Sequence, residues 1–72
     1  MFRQYKCFII TDGAQVIALN ENQELFWTHD VRKAYSFSSY MDAELYRRHN
    51  LKEEYLQLSE VISLVIQYIA FM

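Results

Sequence analysis

A chain of 72 residues with a formal net charge of -2 makes a single domain, 1–72, and shows too little charge imbalance to argue for nucleic acid or for a strongly acidic mimic. Hydrophobic residues supply 53% and aromatic residues 17%, with one Gly, no Pro and one Cys. That excludes a disordered or low-complexity chain, an internal disulfide and a glycine-rich phosphate loop.

The first element in chain order is Tyr5–Thr11, β-branched and aromatic, which reads as a strand. Asp12-Gly13 follows as the strongest hairpin signal, because Gly takes positive φ without steric cost. Gln15–Leu19 reads as the returning strand. Asn20-Glu21-Asn22-Gln23 is a polar turn, with Asn tolerant of the left-handed region, and Glu24–Thr28 makes a third strand. Thr28 can cap a short helical turn through Asp30-Val31-Arg32-Lys33-Ala34, whose charges suit the helix dipole. Tyr35-Ser36-Phe37 reads as an extended link. Ser39 and Asp42 have the spacing of a capping box ahead of a helix Tyr40–His49, with Met41, Leu45, Tyr40 and Ala43 turned inward and Asn50 at its end.

Residues 51–71 fit two readings. Leu51, Tyr55, Leu58, Ile62, Val65 and Ile69 lie at helical spacing, so Leu51–Phe71 fits one long amphipathic helix. Alternatively the segment breaks near Ser59-Glu60 into a helix Leu51–Leu58 and a strand Val61–Ala70. The β-branched content after Glu60, and the absence there of any Glu, Lys or Arg, favour the strand. The expected fold is therefore α+β: a three- to four-stranded antiparallel sheet packed on the helix Tyr40–His49.

The N-terminus is polar, and Cys7–Ile10 is too short for a signal core. The C-terminal apolar run is about half of the ~20 residues a membrane span needs. A soluble cytoplasmic protein is expected, and a lone Cys fits a reducing compartment.

The middle of the chain has a definite order. A strand pair turning at Asp12-Gly13 leads to Phe26-Trp27-Thr28, then Asp30-Val31-Arg32-Lys33-Ala34, then Tyr35-Ser36-Phe37, then Ser39-Tyr40-Met41-Asp42-Ala43-Glu44. Across residues 5–48 this layout resembles many small proteins encoded by bacteriophages and other mobile elements. Its motifs are packing and capping residues without chemistry. The resemblance implies an apolar strand after the helix. It also implies a setting in which small accessory proteins bind and disable host proteins, including restriction and CRISPR machinery. It singles out no one inhibitor family.

No catalytic, cofactor or metal constellation is visible, and the chain is read as a non-enzyme. His29 and Asp30 are adjacent, so they point apart and form no dyad; His49 reads as a surface residue near a helix end. Cys7 lies in an apolar strand with only Lys6 nearby, the setting of an inert thiol. Arg32, Lys33, Arg47, Arg48 and Lys52, with aromatics between, could contact phosphates, which leaves a small dimeric nucleic-acid-binding regulator as the alternative. Glu44, Glu53 and Glu54 offset that field, and the same basic residues suit a helix C-terminus.

A protein partner is the leading expectation. Strands one and three carry apolar side chains on both faces, and one helix covers one face. The surplus then meets a host protein or complex, or a second copy in a homodimer, unless a C-terminal helix or loop covers the second face. The residues expected to make contact are Phe26, Trp27, Tyr35, Tyr46 and Tyr55, with Arg47 and Arg48 at the rim.

Overall fold

The computed structural model describes residues 2–69; for residues 2–5 and 66–69 it describes the backbone alone. The chain runs β1 (Phe2–Thr11), β2 (Val16–Leu19), β3 (Leu25–Thr28), a 3-10 turn (Val31–Lys33), α1 (Tyr40–Asn50), α2 (Glu53–Leu58) and β4 (Glu60–Ile69). The four strands form one antiparallel sheet in the order β3-β2-β1-β4. The fold is α+β, and β4 replaces the single C-terminal helix considered above; Ala70, the last residue of the expected strand, lies outside the described residues.

The turns follow from local chemistry. At the first hairpin Gly13 has φ +96, and the Asp12 carboxylate accepts from the N–H groups of Ala14 and Gln15 at 2.9 and 2.6 Å. Those two bonds hold the Asp12 carboxyl below its usual pKa, the Gln15 bond most. At the second turn the Asn20 side chain accepts from the N–H groups of Asn22 and Glu24, both at 2.9 Å. The left-handed residue there is Gln23 (φ 64), not an Asn, because both the Asn20 side chain and its main chain are committed to closing the loop. Asp30 caps the 3-10 turn by accepting from Arg32 N–H, while Thr28 accepts from Asp30 N–H one step earlier. Ser39 caps α1 through Asp42 N–H at 3.1 Å. Asn50 is the last helical residue, its side chain donating to Tyr46 O, and Leu51 takes the C-cap position.

The two halves of the sheet are built differently. β1 and β4 pair along their whole length, from Phe2↔Ile69 to Thr11↔Glu60. This pairing carries β1 three residues further toward the N-terminus than its own composition suggests. β1 meets β2 at Thr11↔Val16, beside the hairpin. Further along, Tyr35-Ser36-Phe37 occupies the edge of β1 that β4 leaves free: Phe8 and Phe37 exchange N–H···O bonds of 2.9 and 2.8 Å, and Tyr35 N–H donates to Ile17 O at 2.8 Å. The extended link is thus wedged where β2 diverges from β1.

Ile9 and Ile10 are both buried, although neighbours on a strand point to opposite faces. The same holds for Val16, Ile17 and Ala18. On one face Ile10 and Ile17 pack with Leu51, backed by Trp27, Phe37, Tyr46 and Leu56. On the other, the Val31–Ser36 connection folds over Ile9 and leaves a cavity of about 330 Å³ bordered by Cys7, Val31, Ala34 and Leu64. The expectation that one sheet face stays open is therefore overturned at the centre, because the connection after β3 covers it. Toward the edge, Ile62 on the face of Ile9 and Val65 on the face of Ile10 are exposed, so the residual exposure belongs to the β4 edge and not to one face.

Candidate functional site

The contact residues expected from sequence do not form one patch. Phe26 and Trp27 are consecutive in β3 and face opposite ways; Trp27 packs against the core, while Phe26 is exposed. Tyr35, Phe37 and Tyr46 form a cluster with ring centroids 4.8 to 5.6 Å apart, and Trp27 sits 6.2 Å from Tyr55. Trp27 and Tyr46 pack against the core from these two ring groups, and burial raises the Tyr46 phenol above its usual pKa. Tyr35 is the exposed ring of the first group and Tyr55 of the second.

Arg47, expected at a contact rim, turns inward. Its guanidinium donates to Glu44 Oε1 at 2.6 Å, to the Leu56 carbonyl at 2.7 Å and to the Ser59 carbonyl at 3.2 Å. One side chain thereby ties α1 to the end of α2 and the start of β4. Arg48 stays exposed but donates to the same Glu44 oxygen at 2.9 Å. The two guanidiniums hold the Glu44 carboxyl below its usual range, Arg47 contributing more.

The buried face of α1 agrees with the expected one only at Ala43. Ala43 and Glu44 are the buried residues of the helix, whereas Tyr40, Met41 and Leu45 are exposed, Met41 at 61%. Those three, read from sequence as part of the inner stripe, border instead an open groove of about 480 Å³ between α1 and the beginning of β4, together with Val61. The available signal was the spacing of Glu44 with Arg47 and Arg48, which allows an i,i+3 and i,i+4 network on one face. That network has to face the chain's own carbonyls to be satisfied.

The basic residues do not gather into a phosphate-binding stripe. Arg32 forks onto Asp30 at 3.0 and 3.2 Å, and Arg47 and Arg48 share Glu44. His29 bridges the first hairpin: its Nε2 lies 3.0 Å from the Gln15 amide nitrogen and its Nδ1 3.3 Å from Ala14 O. A neutral ring with its proton on Nδ1 satisfies both contacts, accepting from Gln15 and donating to Ala14. Among the described residues, no group of three or more His, Cys, Asp or Glu side chains is placed to hold a metal, and no helix is long and apolar enough to cross a membrane. What the arrangement offers is surface: exposed aromatic rings on the body, and a groove of mixed lining, with Glu44, Arg47, Arg48 and Glu60 beside Tyr40, Met41 and Leu45, next to an open strand edge. No protein-family model, curated protein or solved structure matches the chain.

Proposed function

We propose that the chain is a non-enzymatic protein-binding module of the phage accessory type, which disables a host protein in the cytoplasm by covering its working surface. The observation that carries this reading is a pair of exposed tyrosines, each braced by half-buried rings. Tyr35 and Tyr55 keep 38% and 43% of their surface exposed, while Phe37 and Tyr46 hold Tyr35 and Trp27 holds Tyr55 from behind. Aromatic rings fixed before binding lose little freedom on contact, and such residues dominate interface energetics. Phe26 offers a further exposed ring on the opposite face of β3. The nucleic-acid alternative is weaker, because Arg32, Arg47 and Arg48 are already bonded to carboxylates.

Expression of the chain in bacteria carrying a restriction or CRISPR system tests the reading. The expected result is recovery of phage plaques, lost when Tyr35 and Tyr55 are both replaced by Ala, with direct binding to the purified defence complex that barely changes with salt. Binding to DNA alone, weakening steeply as salt rises, would reverse the ranking.

A further inference from the structure

We propose that two copies of this chain join through β4, edge to edge and antiparallel, about a two-fold axis beside Val65, into one eight-stranded sheet. The proposal rests on the reading of the chain as a protein-binding module only in taking the open edge as a contact surface.

The sheet has two edges, and they differ. β3 is four residues long, a length that discourages strand addition. β4 is ten residues long and lies at the other edge, with its outer row of N–H and C=O groups facing no strand among the described residues. Soluble proteins guard such an edge with Lys, Pro, an inward charge or a bulge. From Val61 to Ile69 the sequence has no charge and no Pro, and its pairing to β1 runs without a break.

A second copy suits this edge better than an unrelated strand, for reasons of charge, symmetry and shape. An antiparallel strand paired with its own copy must set identical residues opposite each other at the axis, since the two hydrogen-bonding pair types alternate. Val65 is the middle of the uncharged run Val61–Ile69 and is 55% exposed. Pairing centred there sets position 61 of one copy against position 69 of the other. The two Glu60 carboxylates, the sole charges of β4, then sit at opposite ends of the joint and do not repel. The same register brings the C-terminal half of the second copy's β4 alongside the start of β4, next to the groove that Tyr40, Met41 and Leu45 share with Glu44, Arg47, Arg48 and Glu60.

Sedimentation equilibrium of the purified chain across micromolar concentrations tests the proposal, with no other protein present. The expected result is a reversible dimer. Val65→Lys and Val65→Glu each weaken it by about 100-fold through like charges at the axis, and an equimolar mixture of the two variants restores it. Backbone amide exchange of the unaltered chain is the second measurement, with protection across residues 61–65 rising with concentration. A monomer at all concentrations, a dimer indifferent to Val65→Lys, no recovery on mixing, or amide protection that ignores concentration would each overturn the joint. A monomeric chain that still captures the defence complex would remove the two-fold pairing and leave the proposed function standing.

Discussion

The body of the molecule and its β1–β4 ribbon are made of similar residues and meet different fates. In the body, consecutive strand residues Ile9 and Ile10, and Val16 to Ala18, are buried on both faces. Two helices lie on one side and the connection after β3 on the other. Along the ribbon, Ile62 and Val65 are just as apolar and remain exposed. Burial here depends on what the chain lays over each strand. The body receives the connection after β3 and both helices, because Phe37 and Tyr35 hydrogen-bond to β1 and β2 and place the following helix over the sheet. Among the described residues, β4 keeps Ile62 and Val65 exposed.

Substitutions in the body should therefore be costly. Ile10→Ala removes a fully buried side chain between Ile17 and Leu51 and is expected to destabilise by about 4 kcal/mol, enough to unfold much of so small a domain; urea titration followed by circular dichroism measures it. Arg47→Ala comes next, at about 3 kcal/mol. It takes the less exposed of two guanidiniums from a nearly buried Glu44, leaving Arg48 alone on it, and deprives the Leu56 and Ser59 carbonyls of their donor. If Arg47→Ala proves neutral, the lock between α1 and β4 does not hold the body together.

Glu44 gives the same lock a pH signature. Its folded pKa is depressed, so its contribution is complete above the unfolded carboxylate value and is lost as pH falls through the lower folded one. Glu44→Gln is expected to cost about 2 kcal/mol at neutral pH, and the gap from the unaltered chain should close as pH drops below 4. Melting temperatures of both proteins across acid pH read this directly. A gap that persists undiminished in acid would mean that Glu44 acts through packing and not through charge.

Much of the body was legible in the residues. Asp12-Gly13, the Asn20–Gln23 turn and the Ser39–Asp42 cap declare themselves because each solves its hydrogen bonding within a few positions. The strand at β4 was legible from its β-branched, uncharged composition, and so was its place against the first hairpin in a four-stranded antiparallel sheet; its register on β1 was not, since register is non-local. The orientation of α1 was misread for the same reason. Met41 and Leu45 look like an inner stripe until the Leu56 and Ser59 carbonyls are known to wait for Arg47, and those lie nine and twelve positions away. The expected contact residues suffered likewise: Trp27 and Tyr46 are aromatic in the way interface anchors are, and the core used them first.

Two smaller effects sharpen the contrast. Gly13→Ala meets open space, so its cost is the backbone conformation alone, about 1 kcal/mol at φ +96. Val65→Thr should be smaller still. It keeps the β-branch that suits a strand and alters a side chain 55% exposed, so in dilute monomer it should move stability by less than about 0.5 kcal/mol. The measurement has to be made well below any concentration at which copies associate, because association adds stability that the isolated chain lacks. A cost above about 1 kcal/mol in that regime would mean that Val65 is packed within a single copy. The ribbon would then be a second part of the body, and its exposure would no longer call for a neighbour.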